Sequence, residues 1–479
     1  MPASSLLKEV DVTTACRMTR PWFVVSLVSV SACQLALDDC DVAEVAATDT
    51  LTGSGEQRIS GPDGIQVLRS GLVAVLVSSR ESISSPERIG LLRLDPSGRR
   101  RRQGCSYESV GATVLLDEDV TSWVPEVQQG LGSIAVGPDP ATPILVTYTR
   151  GVLDASGNDA GGYAPAGVMG VLLDPYGCPR GTGDVTPIFR ISNTDRFVVG
   201  SAKAIAVASN EFVVIWEESD YGGQFPLTSL KARRVSVDGF LPRLSEEISV
   251  DTGGSLRFAY HGATRSGAGE LAIAWFDRER LWMSLFATDL ELLRGPVAVL
   301  EETRGSVLRL ISAGDHYFLA WEEPSTANGV ARAMFLRVSS SLEPLSVPMP
   351  LSAAPRGDEL GLTLVPLTGG GAMAAWMVMP DGRGTGGASE LWGAGLAADG
   401  KRLFSRIACD QTEFPLVSGA AGPRRPVLGD AGEGRLAIGW AIESDRAAGV
   451  VLGSKALEVD VEVSVIHQHE LFARGRSRE

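Results

Sequence analysis

The sequence predicts an all-β fold built from seven copies of one small antiparallel sheet, on three observations. First, a hydrophobic phrase that usually ends in tryptophan recurs: EFVVIWEE from Glu211, ELAIAWFD from Glu270, HYFLAWEE from His316, GAMAAWMV from Gly371 and RLAIGWAI from Arg435. Second, a short alternating segment closed by a turn follows it in most copies, as in GLLRLDPSG from Gly90, GVLLDPYG from Gly170, ARRVSVDG from Ala232 and GAGLAADG from Gly393. Third, 55 glycines in 479 residues supply turns rather than long helices.

Taken in chain order, the first element is a leader over residues 1–33. Arg17 and Arg20 precede the apolar run Pro21 to Val30, and Ser31-Ala32-Cys33 follow. A positive segment, a short apolar segment and small residues make a signal peptide. The run is too short to span a bilayer as a mature helix. Val30-Ser31-Ala32-Cys33 resembles the bacterial lipobox, which implies lipid attachment at Cys33, with Val30 where leucine is more usual. Met18 offers an alternative start that would shorten the leader. Residues 34–44 read as a short acidic linker, and residues 467–479 as a polar C-terminal tail.

Between them, residues 45–466 hold the repeat. Two weaker copies of the first phrase, GLVAVLVS from Gly71 and PILVTYTR from Pro143, complete the set. The marker residues are Leu76, Tyr148, Trp216, Trp275, Trp321, Trp376 and Trp440. Their irregular spacing is what loops of variable length produce. Aspartate bonds its own backbone and glycine accepts positive φ, so Asp-Gly and Asp-Pro-x-Gly close hairpins. Period-two side chains between such turns fit strands better than helices. The strand ending in tryptophan is apolar on both faces, as a strand covered on both sides must be, and the tryptophans read as core between sheets. The acids that follow them (Glu217, Glu218, Asp277, Glu322, Glu323) read as the return to solvent. The alternating segment Leu457 to Ile466 is a candidate for completing the last copy, with the region after Cys40 as a source of a closing strand.

One small sheet cannot bury its own faces, whereas seven around an axis can, and closure hides the edges. This arrangement resembles the β-propeller class, particularly the loosely repetitive propellers of exported bacterial proteins. It carries no WD series, no kelch pattern and no sialidase Asp-box run. A seven-bladed β-propeller is therefore expected; the alternative is two tandem all-β domains broken near residues 156–170.

The chemistry is sparse. A net charge of -15 argues against nucleic-acid binding, which needs a positive footprint. The basic run Arg99 to Arg102 follows a turn and reads as an exposed loop. After a cut before Cys33, Cys40, Cys105, Cys178 and Cys409 remain besides Cys33 itself. Cys105 and Cys178 each follow a DPxG turn and are a candidate disulfide between adjacent copies. Of four histidines, His261 falls in a Gly/Ser-rich turn and His316 opens a repeat strand. His467 and His469, with Glu470, could share a metal ion but lack a second ligand cluster. Acid pairs such as Asp38-Asp39, Asp117 to Asp119 and Asp358-Glu359 read as surface charge. The loop holding Asp154, Asn158 and Asp159 has oxygen ligands suited to Ca²⁺ but not EF-hand spacing, so no cofactor is expected. No glycine-rich segment has the phosphate-loop pattern. The expectation is a monomeric, non-enzymatic binding or scaffold propeller at the cell envelope. It would meet a protein or glycan partner, and the membrane only through its N-terminal lipid. The alternatives are a propeller enzyme acting on glycans and an assembly factor.

Overall fold

The computed structural model describes separate stretches between residues 49 and 115, most of residues 132–467, and Phe472. Among these residues all regular structure is β-strand. Seven antiparallel sheets follow one another along the chain; they are numbered here as blades 1 to 7. Blade 4 shows the plan most simply, with Leu271–Phe276 pairing both His261–Arg265 and Leu281–Phe286, and Leu292–Leu300 outermost. Blade 3 runs Phe197–Ala208, Glu211–Asp220, Leu227–Asp238 and Leu241–Leu244. Blade 5 runs Ser306–Ala313, His316–Glu323, Arg332–Ser339 and Met349–Pro350. Blade 6 runs Asp358–Pro366, Ala372–Met379, Glu390–Leu396 and Glu413–Val417. Blade 2 runs Ser133–Val136, Ile144–Leu153, Tyr163–Leu173 and Ile188–Arg190. Tyr163–Leu173 is thus a full member of blade 2, and no domain break falls there.

Blades 1 and 7 carry the variations. The inner strand of blade 1 comes in two pieces, Glu56–Ile59 and Ile65–Val67, both paired with Val73–Arg80. Arg88–Leu94 and Thr113–Leu115 continue that sheet outward. Blade 7 takes Pro423–Asp430, Arg435–Ala448 and Ala456–His467 from the end of the chain, and Asp49–Leu51 from its beginning as the outermost strand. The innermost strands touch in cyclic order, from Ile65–Val67 through each following blade to Pro423–Asp430, which returns to Ile65–Val67. A closed ring of seven four-stranded-type sheets is a seven-bladed β-propeller. Closure explains why the second strands need no polar face.

The turns form as their residues dictate. After the third strand of blade 2, Asp174 Oδ1 accepts the backbone N–H groups of Tyr176 and Cys178, and Gly177 takes φ +79°. Asp289 and Asp399 accept the N–H two residues on in the same way.

The core lies between blades. Trp216 packs with Leu145 and Val168 of blade 2, Trp275 with Val213 and Ile215 of blade 3, and Trp321 with Ala274 and Phe276 of blade 4. Trp376 packs with Phe318 and Ala320 of blade 5, and Tyr148 with Ala74 and Leu76 of blade 1. Each of these aromatics therefore faces the preceding blade. Leu76 does not: it faces forward, against Tyr148. The turn registers explain the difference. Ile144 lies opposite Leu173, just before Asp174, and Val73 lies opposite Leu94, just before Asp95. Counting from these pairs, Val77 holds the place in blade 1 that Tyr148 holds in blade 2. A shift of one residue reverses the face of a strand. Trp440 lies opposite Glu462 in blade 7, and its side chain is outside the described residues.

The tail also departs from expectation. Phe472 is buried with Phe414 and Leu416 of blade 6, edge-on to Phe414 at 5.8 Å, and bridges to Ser405.

Candidate functional site

The tryptophan strands end at the rim of the disk where second strands pass to third strands and where one blade passes to the next. The polar side chains described at this end include buried groups at the seams, aromatic–arginine stacks nearer the loops, and exposed ion pairs such as Arg280–Glu301 and Arg304–Glu279.

Glu217, Glu218 and Glu322 follow tryptophans but are buried rather than solvated, while Asp277 and Glu323 are partly exposed. The reason is strand alternation. A tryptophan facing the preceding blade leaves the next residue facing the following blade. Glu322 Oε1 accordingly accepts the N–H of Leu362 at 3.0 Å, on the inner strand of blade 6. That strand has a register shift between Leu360 and Thr363, which frees amides the sheet does not use. Burial pushes the Glu322 carboxyl above its ordinary range, offset in part by the Leu362 N–H. Glu217 makes the equivalent crossing to blade 4, where its Oε1 lies 2.7 Å from His261 Nδ1. Burial raises this carboxyl too, and the hydrogen bond to His261 lowers it less. Glu218, two residues past Trp216 and on its face, accepts the indole N–H at 2.9 Å.

The acid pair Asp358-Glu359, expected at the surface, is buried at the seam of blades 5 and 6. Asp358 Oδ1 accepts from Ala331 N at 2.7 Å, and Glu359 Oε2 from Ala333 N at 2.8 Å. With Glu322 crossing in the other direction, carboxylates bond backbone amides both ways across this seam. Glu413 accepts from Ala353 N and from Arg402.

His261 opens the inner strand of blade 4 rather than lying in a turn, and its Nε2 is buried without a hydrogen-bond partner. His316 opens the second strand of blade 5, a strand start as expected, at the end of the disk opposite His261, with Nδ1 3.0 Å from Asp315 Oδ1 and its ring edge-on to Phe318.

Two tryptophans that the repeat phrase does not include, Trp282 and Trp392, stand at one repeat position on blades 4 and 6. They lie opposite Trp275 and Trp376 respectively. Each indole N–H donates to a carboxylate, Asp277 Oδ2 at 2.7 Å and Glu390 Oε2 at 2.8 Å. Each ring is covered by an arginine, Arg280 at 5.7 Å and the exposed Arg356 at 3.7 Å. Cation–π attraction draws each guanidinium over its ring, and Arg280 Nε is also ion-paired with Glu301 Oε2 at 2.6 Å. The signal in the sequence was a tryptophan near the start of the third strand with an acid close by, as in DRERLW and ELW.

Cys178 is disulfide-bonded. Cys33 and Cys105, the loop with Asp154, Asn158 and Asp159, Arg99 to Arg102, Asp38-Asp39, Asp117 to Asp119, His469 and Glu470 lie outside the described residues, as does the side chain of His467. Among the described residues no three His, Cys, Asp or Glu side chains come together as a metal site.

The fold and this end of the disk define a seven-bladed β-propeller with inter-blade carboxylate bonds and an arginine-capped loop face. No protein-family model and no curated protein sequence matches the chain. Among solved structures it is similar to a protein of unknown function from Dyadobacter fermentans, at 8% identity over 88% of this chain and 99% of that one, with a TM-score of 0.44. It is also similar to the leech intramolecular trans-sialidase, at 12% identity over 90% of this chain and 71% of that one, TM-score 0.42. The phage phi92 endosialidase matches at 7% identity over 89% and 71%, TM-score 0.41. The fold assignment rests on the closed ring itself, and no residue role is carried across.

Proposed function

We propose that this chain is a non-enzymatic propeller that binds a protein or glycan partner at the bacterial cell envelope. The observation that carries the reading is how its buried acids are used. Glu322, Asp358 and Glu359 bond backbone amides across a seam, and Glu217 bonds His261. These groups hold blades together, which leaves recognition to the loop end, where Arg280 and Arg356 stand on Trp282 and Trp392. Rigid scaffolds carry recognition on such loops. The disulfide at Cys178 supports an oxidising compartment, and the lipobox-like Val30 to Cys33 supports a lipid anchor at Cys33, whose acyl chains suffice for stable attachment.

The test is binding of the full exported chain to immobilised cell-envelope glycans and to envelope proteins, with Arg280→Ala/Arg356→Ala as comparator. The double variant is expected to lose roughly tenfold in affinity with its melting temperature kept. Equal binding by both forms removes the loop-end assignment. Mass analysis of the mature N-terminus is expected to find a lipid-modified Cys33, and an unmodified terminus removes the anchor.

A second reading, an enzyme acting on glycans, draws on one observation: Glu217 is a buried carboxyl with a raised pKa beside an imidazole. Glycan turnover by the wild type that Glu217→Gln abolishes, with the fold intact, would replace the binding reading with this one.

A further inference from the structure

We propose that blade 6 carries a peptide-docking slot that the chain's own tail fills at Phe472, and that the slot takes the same segment from a second copy when its own tail is displaced. The slot begins as an omission in the third strand. Blades 2, 4, 5 and 6 close that strand with one kind of turn. In it Asp174, Ala287, Ser339 and Ala397 each donate their N–H to the carbonyl four residues on and accept from the N–H three residues on. Two residues before this point stand Leu172, Leu285, Arg337 and Gly395. Leu172 and Leu285 are buried against the following blade, and Arg337 Nη1 reaches forward to the Asp399 carbonyl of blade 6 at 2.7 Å. Blade 6 has no side chain at the matching place.

The tail supplies that side chain. A Cβ on Gly395 would come within 2.5 Å of the Phe472 ring, so the glycine is what admits it. Gly393 makes the same allowance two residues earlier, where a Cβ would lie 3.2 Å from Leu416 and Phe414. Phe414 then meets Phe472 edge-on at 5.8 Å, a favoured arrangement of two rings. Leu428 and Ile438 of blade 7 belong to the same core, so the phenylalanine completes the seam between blades 6 and 7.

The attachment is that of a bound segment rather than of a strand. Phe472 forms an isolated antiparallel bridge with Ser405 and belongs to no ladder. Among the described residues the tail is thus held by one ring in a shaped slot and one backbone pairing, which is how an extended peptide docks on a sheet. So local a hold opens without unfolding a blade. Release bares Phe414, Leu416 and the gap at Gly395, an apolar opening of the size of a phenylalanine ring. The chain's own tail fills it first by proximity. The tail of a second copy has the same sequence and needs no new complementarity, which is the arrangement of an exchanged segment.

A labelled peptide of residues 468–479, titrated into the full chain and followed by fluorescence anisotropy, tests the slot. Phe472→Ala empties the slot and keeps the rest of the tail. That chain is expected to bind the peptide roughly tenfold or more tightly than the wild type, whose slot is open only a fraction of the time. The peptide carrying the same substitution is expected to bind neither chain. Adding Gly395→Leu gives blade 6 the side chain that blades 2 and 4 have, and is expected to abolish binding. A folded Phe472→Ala chain that binds no better than the wild type overturns the proposal, as does binding of the substituted peptide or binding that survives Gly395→Leu. Hydrogen exchange in the wild type decides the matter without any variant. The C-terminal fragment that holds Phe472 is expected to exchange roughly tenfold or more faster than Ala372–Met379. Exchange at the rate of that strand would make the tail a fixed part of the blade and overturn its release.

Discussion

Glu322 shows how one residue of the repeat decides between surface and seam. Its oxygen serves an amide of the next blade, and burial alone pushes its carboxyl upward. A carboxyl whose folded pKa lies above its unfolded value favours the folded state fully below that unfolded value, and the contribution is lost as pH rises through the folded value. The window for Glu322 therefore opens near the ordinary glutamate value of 4.5 and extends upward, with Glu217 and Glu359 acting in the same direction. Glutamine keeps the acceptor for Leu362 and has no proton to lose. Glu322→Gln is thus expected to match or exceed the wild type in Tm at pH 7 and to flatten the fall in stability above pH 4.5. Glu322→Ala leaves a buried amide unpaired and is expected to cost about 1–3 kcal/mol. Thermal unfolding between pH 4 and 8 checks both outcomes. A glutamine variant with the wild-type pH slope would assign that slope to other groups.

At the scale of the element, the second strand carries most of what the sequence could reveal. Its tryptophans marked the strand, its burial on both faces and the repeat, because a large side chain between two sheets leaves a strong apolar signature. The weakest copy lies one residue off the phrase, since a leucine among valines gives no sign of which face is which; only the register of Val73 with Leu94 resolves Leu76. The carboxylates misled for a different reason. Acids at a strand end usually mean solvent, and the groups that Glu217 and Glu322 meet, the His261 imidazole and the Leu362 amide, belong to segments distant in sequence. Trp282 and Trp392 lay outside the repeat phrase, and their arginines come from a turn and from an inter-blade connection. Energetically the strand is unequal to its outer neighbours. Trp321→Ala empties a site between Phe276, Leu319 and Leu336 and is expected to cost about 3–5 kcal/mol. Val347 lies at the outer edge of blade 5, 73% exposed and flanked by Pro344, Pro348 and Pro350, which block pairing with another chain. Val347→Ser is expected to change stability by about 0.5 kcal/mol or less. Denaturant midpoints of the two variants check the contrast; a similar cost at both positions would mean that the seams do not dominate.

The whole molecule depends on one joint that no single repeat encodes. Blade 7 is completed by Asp49–Leu51, paired with Val461 to Val463, so the two ends of the chain meet in one sheet. The inner side of the same joint is a close approach: a Cβ on Gly429 would come within 2.7 Å of Ile65 Cγ2 and 2.9 Å of its carbonyl oxygen. The two sites act differently. Removing residues 1–51 bares the edge of Ala456–His467, whose unpaired backbone groups then invite another chain. Gly429→Ala keeps that edge covered but forces the inner strands of blades 7 and 1 apart. If closure gives the ring its cooperativity, both changes should lower Tm and broaden the transition, and the deletion alone should add concentration-dependent association. Calorimetry with light scattering at two protein concentrations separates the cases. A sharp, unshifted transition for both variants would mean that the blades are held by their neighbours pairwise, and that ring closure adds nothing to the stability of the disk.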